Sequence, residues 1–190
     1  MTDTAVTVSV STMTTSSWLP NVPDDSDFSL YNIPFGVGSL KNDDDNTGRR
    51  FCCTAIGNHV INLHVLQSAG VFDDITYLDK NCFAYPVLNA FMDHPLHVWK
   101  DVRQRIIDIF TDAEHGEKDV KNRAHDEKKE EESGAVGVTA SINYSMLVRH
   151  SVELQKACIY DMSNVKMHLP AHIGDYTDFY SSREHATNGT

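Results

Sequence analysis

No apolar run in this 190-residue chain approaches the roughly 20 residues that a membrane-spanning helix needs. Cationic excess is missing too: 16 Lys and Arg stand against 27 Asp and Glu, a formal net charge of −11. Binding a phosphate backbone or an anionic lipid surface calls for clustered Lys and Arg, so neither nucleic acid nor membrane is an expected partner. The four cysteines, Cys52, Cys53, Cys82 and Cys158, follow no zinc spacing, and two are adjacent, an awkward start for a disulfide framework. Reduced thiols in a cytoplasmic protein are the expectation. The opening MTDTAVTVSVSTMTTSSWLP lacks the basic stretch and solid apolar core of a secretory signal, and residues 1–23 read as a disordered Ser/Thr-rich extension. KNDDDNTGRR at 41–50 carries three aspartates without the alternation or distal glutamate of an EF-hand, so it reads as a solvated turn. Internal repeats are absent.

What is present is an ordinary globular composition, 41% hydrophobic and 23% charged, with room for one good core or one small domain and part of another. Phe28–Leu40 mixes aromatic and branched residues with Pro34, Gly36 and Gly38, which predicts short strands interrupted by turns. Phe51–Leu66 predicts two strands around a hairpin turn at Gly57-Asn58; Ile61, Leu63 and Val65 alternate with Asn62 and His64 in the second arm. Pro95–Phe110 predicts the clearest helix, with Pro95 in the first turn and Val98, Val102, Ile106 and Ile109 at helical spacing. Residues 113–133 hold almost no large apolar side chain and read as a solvated helix end or flexible loop. His94 and His97 are separated by Pro95, which argues against a metal pair.

Chemistry-bearing side chains concentrate in MHLPAHIGDYTDFYSSREHATN, residues 167–188. Asp175, Tyr176, Asp178, Tyr180, Arg183, Glu184 and His185 fall within eleven consecutive positions there, just after Pro170 and Gly174, which forbid a continuous helix. A carboxylate beside a phenol and an imidazole offers a hard oxygen ligand for Ca²⁺ or Mg²⁺ and a proton acceptor for water. On composition alone a solvated acidic loop is the stronger reading. His168 and His172 stand four apart, but Pro170 spoils a helical ligand pair, and both read as structural; Asp175 reads as a turn cap.

That run closely resembles the start of the catalytic domain of the fumarylacetoacetase family. Upstream, DDSDFSLYNIPFGVGS at Asp24–Ser39, AIGNHVINL at Ala55–Leu63 and LNAFM at Leu88–Met92 resemble, in the same order, that family's amino-terminal domain. The resemblance implies a mainly β, α+β fold: a small SH3-like barrel with a helix over 24–122, a charged flexible linker over 123–152, and the opening of a β-rich catalytic domain over 153–190. Within the last of these, ELQKACIYDMSNVKMHLP is expected to form a strand and turn between the domains.

Residue by residue, the resemblance implies that Asp178 matches a carboxylate binding the family's divalent cation, Ca²⁺ or Mg²⁺. His185 matches its general base, and Tyr180 a tyrosine that contacts substrate. The implied activity is metal-dependent hydrolysis of the carbon–carbon bond of 4-fumarylacetoacetate to fumarate and acetoacetate, in tyrosine and phenylalanine catabolism, by a cytoplasmic homodimer. The family continues beyond the position matching Asn188, so the chain as given is expected to be a carboxyl-terminally truncated, inactive piece. The alternatives are a non-catalytic fragment that at most binds a partner chain, or another diketone or acylpyruvate hydrolase of the same superfamily.

Overall fold

The computed structural model describes residues 16–23, 25–41, 48–112, 143–175, 177 and 181–188. Three early strands form an antiparallel meander: β1 (Phe35–Leu40), β2 (Phe51–Ile56) and β3 (His59–Asn62). Val37 stands opposite Cys52, and Ile56 opposite His59. A two-residue loop joins β2 to β3, and Gly57 at φ 55° supplies the left-handed backbone that such a tight hairpin needs at its first position. A Cβ on Gly57 would stand 3.0 Å from Val22, so this glycine also lets residues 16–23 cross the hairpin tip.

The sheet is finished by residues far along the chain. β4 (Ile159–Asp161) pairs with β3, and β5 (Val165–His168) pairs with β1, giving the order β4-β3-β2-β1-β5. The two late strands lie at opposite edges, yet only a 3₁₀ turn of three residues, Met162–Asn164, connects them. In a flat sheet those edges would be about 19 Å apart, four strand spacings. A 3₁₀ turn rises only about 2 Å per residue, so it cannot cover that gap. The sheet must therefore curl until its edges nearly meet, as the expected SH3-like barrel requires. Glycines on β1 permit the closure: a Cβ at Gly38 would lie 2.7 Å from Val165 Cγ1, and one at Gly36 2.9 Å from Met167 Cε.

Curling gives the sheet two apolar faces. Inside lie Cys53, Val60 and Val165, with Phe51, Tyr160 and Met162 against them. Outside, Val37, Cys52, Ile56 and Ile61 join the main core under the helices. The adjacent cysteines thus point to opposite faces, as the two-residue period of a strand dictates. All four cysteines are buried free thiols.

The helices are α1 (Leu63–Ser68), α2 (Asn89–Met92), α3 (Leu96–Phe110), α4 (Tyr144–His150), α5 (Val152–Cys158) and α6 (Arg183–Asn188). α3 forms as its periodicity predicts, with Pro95 at its N-cap. Val98, Val102, Ile106 and Ile109 are fully buried along one stripe. Each such side chain contributes about 1.5–3 kcal/mol by leaving water. Arg105 ties this helix to its surroundings: it donates to both Asp74 carboxylate oxygens at 2.9 Å and lies 4.2 Å over the Tyr144 ring of α4. No helix among the described residues is long and apolar enough to cross a membrane.

Four expectations need correction. Residues 16–23 are not a loose extension: Trp18 stacks on Phe110 at 5.5 Å, its Nε1 donates to Ile109 O at 2.7 Å, and Leu19 is buried. The second arm of the hairpin is shorter than its alternation suggests, because Asn62 Oδ1 accepts from Val65 N and starts α1 there. Residues 143–152, placed in the linker, include α4, whose Val148 is fully buried and whose Arg149 pairs with Asp112 at 3.1 Å. Finally, 153–158 are helical, capped by Ser151, and 159–168 complete both sheet edges. The stretch expected to open a second domain is thus built into the first sheet up to His168. The expectations for 1–15, 42–47 and 113–142 lie outside the described residues.

Candidate functional site

The segment that carries the predicted site leaves β5 at His168, whose Nε2 and the buried Ser39 Oγ are 2.8 Å apart. Burial, helped by the nearby charges of Arg50 and Lys166, holds this imidazole below its ordinary pKa. The chain then runs over α2. Leu88 N–H donates to Pro170 O at 2.7 Å. Asn89 takes both backbone groups of His172: Nδ2 donates to His172 O at 2.9 Å, and Oδ1 accepts from His172 N at 2.7 Å. Two stretches that carry the family resemblance, LNAFM and MHLPAHIGDYTDFY, are therefore hydrogen-bonded to each other. Nothing local in the sequence signals this pairing, which joins residues 83 positions apart.

Past that point residues 173–175 are exposed. Ile173 is 69% exposed, and a Cβ on Gly174 would meet nothing within 4 Å. Asp175 is exposed. Asp178 and Tyr180 lie outside the described residues. His185 sits in the third position of α6, and its side chain also lies outside them. Among the described residues, no three His, Cys, Asp or Glu side chains gather as a metal site would require.

Four other histidines are engaged by the fold, whereas the buried His64 Nδ1 has no hydrogen-bond partner among the described residues. His94 Nδ1 donates to Ala90 O at 2.8 Å while Nε2 accepts from Asp79 N at 3.0 Å, so both ring nitrogens are used and the tautomer is set. His97 meets Tyr77 edge-on at 6.0 Å. His59 Nε2 donates to Pro20 O at 2.7 Å, securing the amino-terminal segment. His172 is held through its backbone N–H and carbonyl.

A cavity of about 130 Å³ opens beside the barrel between Phe28, Pro34, Cys53, Met162 and Met167. Its one ionisable group, the Cys53 thiol, is pushed up to about 12 by burial, with Cys52 adding to the shift, so it supplies no nucleophile near neutral pH. Burial likewise pushes Cys52 and Cys158 to about 12 and Cys82 to about 11. Geometry defines a small curled-sheet domain from which the exposed residues 172–175 lead on towards the predicted site positions.

Comparison with known proteins gives that architecture a family. The model of the fumarylacetoacetase amino-terminal domain matches residues 31–170, from just before β1 to the Leu88–Pro170 hydrogen bond. The chain belongs to this family. It is 34% identical to the fumarylacetoacetase of Caenorhabditis elegans over 169 residues, which is 88% of this chain and 32% of the worm protein. The human fumarylacetoacetase is 31% identical over 172 residues, 90% of this chain and 32% of the human protein. That of Aspergillus fumigatus is 30% identical over 177 residues, 91% of this chain and 33% of the fungal one. The chain thus spans about a third of the length of the curated relatives it matches.

Proposed function

We propose that the whole protein is a fumarylacetoacetase, hydrolysing 4-fumarylacetoacetate to fumarate and acetoacetate in the breakdown of tyrosine and phenylalanine. The family match over residues 31–170 carries this reading, since it covers a leading domain and stops beside the site segment. The domain so defined ends near residue 170, and the catalytic domain takes up the chain from there. The relatives' own names support the hydrolase class. A cytoplasmic homodimer completes the reading.

The residues divide the work. Cleaving a 1,3-diketone needs water attack on one carbonyl and departure of carbon as an enolate. His185 takes the proton from the attacking water. Tyr180 places a phenol hydrogen bond and an apolar wall against the substrate. Asp178 gives an oxygen ligand to Ca²⁺ or Mg²⁺, and its chemistry suits a hard cation. Such an ion, when bound, supplies positive charge that stabilises the diketone oxygens and the departing enolate. Ca²⁺ takes roughly 6–8 oxygens, so Asp178 needs further ligands from beyond the described residues. Residues 1–190 on their own are therefore expected to show no turnover.

Assaying the full natural-length protein on fumarylacetoacetate and on acylpyruvates tests this. Chelation should abolish turnover of fumarylacetoacetate, and Ca²⁺ or Mg²⁺ should restore it. Preference for acylpyruvates, or turnover indifferent to chelator, would overturn the reading.

A further inference from the structure

We infer that Asn89 is a positioning residue for the reaction, acting as the pivot from which the segment bearing Asp178, Tyr180 and His185 is aimed. The inference rests on the fumarylacetoacetase reading of those residues. Asn89 opens α2, but neither it nor the N-cap residue Leu88 makes a side-chain cap for that helix. Its amide is spent on His172 instead: one end donates to the carbonyl and the other accepts from the N–H, at 2.9 and 2.7 Å. Asparagine is suited to this, because its side chain carries a donor and an acceptor side by side, as a backbone amide does. With the Leu88 N–H to Pro170 O bond, the arrangement continues the edge of the domain for a few residues past the last strand.

Among the described residues, His172 is the last before Asp178 that a hydrogen bond ties to the domain. Asp178 follows six positions later, a reach of up to about 20 Å in extended chain. Misplacement of catalytic groups by about 1 Å costs on the order of a hundredfold in rate, so loosening the last anchor before them is expected to register in turnover. The Asn89 side chain is exposed, so its removal opens no core cavity. Loss of aim is thereby separable from loss of fold.

The test uses the full natural-length protein with Asn89→Ala and Asn89→Asp. Asn89→Asp keeps the acceptor for His172 N–H but sets a carboxylate oxygen against His172 O. Both variants should lower kcat about ten- to a hundredfold, with a smaller change in KM, and should weaken the apparent Ca²⁺ affinity several-fold. The His172 amide should exchange with deuterium faster, while melting stays within about 2 °C of wild type. A purely structural role would lower the melting temperature and leave kcat and Ca²⁺ affinity of the folded protein untouched. Either variant turning over and binding Ca²⁺ as wild type does would overturn the inference, as would unchanged exchange at His172. Wild-type protein that fails to hydrolyse fumarylacetoacetate would overturn the functional reading and this inference with it.

Discussion

The curled sheet with its helices and the segment beyond His168 are built on opposite terms. In the first, strands are paired from edge to edge and α3 buries an unbroken stripe in the core they share. The buried Gln67 there is used at both ends: it donates to Asp79 O at 2.9 Å and accepts from Phe83 N at 3.0 Å. In the second, three hydrogen bonds over residues 170–172 do the holding, and Leu169 and Ile173 point into water at 72% and 69% exposure. On the proposed reading, stability and chemistry are therefore separable in this chain: folding is decided in the sheet and helices, while the stretch leading to the proposed catalytic groups is lightly held over residues 169–173.

Three measurements sharpen or break that separation. The largest effect belongs to His185→Ala in the natural-length protein. Removing a general base should cut kcat about 10²–10⁴-fold and leave the melting temperature within about a degree. A large drop in melting with modest loss of rate would mean that His185 serves the fold. Ile106→Ala should do the reverse. Its side chain is fully buried in the α3 stripe, so urea unfolding should show a loss of about 2–5 kcal/mol. A cost below about 1 kcal/mol would mean that this stripe is not the tightly packed core described.

The smallest effect sits at the junction of the two regions. His168 titrates below its ordinary 6.5, chiefly through burial. An unfolded chain then takes up the proton first as pH falls, so the neutral imidazole's contribution is complete above about 6.5 and is lost as pH drops through the lower folded-state value. Melting temperatures at pH 7.5 and 5.5 should differ by a small step that His168→Gln flattens. A step of unchanged size in the variant would assign it to other groups.

Much of the fold was legible, and the misses share a cause. α3 and the Gly57 hairpin rest on local signals, a helical stripe and a turn glycine, and both formed where expected. α1, α4 and α5 were missed although each has a side-chain cap in the sequence: Asn62 to Val65 N, Asn143 to Met146 N and Ser151 to Leu154 N. Each helix is six or seven residues long, too short for periodicity to outweigh strand-like alternation or charge. Docking of Trp18 and the Asn89–His172 bonds were illegible for another reason, since both depend on partners some 80–90 positions away. Of the proposed site, the sequence offers residue types in one stretch; the structure adds how the approach to it is anchored, at Pro170 and His172.

The place of β4 and β5 in the sheet also sets an order of events during synthesis. β1, β2 and β3 leave the ribosome together, but the strands that cover their two edges follow about a hundred residues later. At about 5–20 residues per second, that is a wait of roughly 5–20 s. Throughout it, the backbone groups along β1 and β3 that will pair with β5 and β4 remain unsatisfied, open to any other extended chain. Barrel closure is thus a late, long-range step with a high contact order. Crowded nascent chains, not the finished protein, are where this domain is most exposed to misassembly.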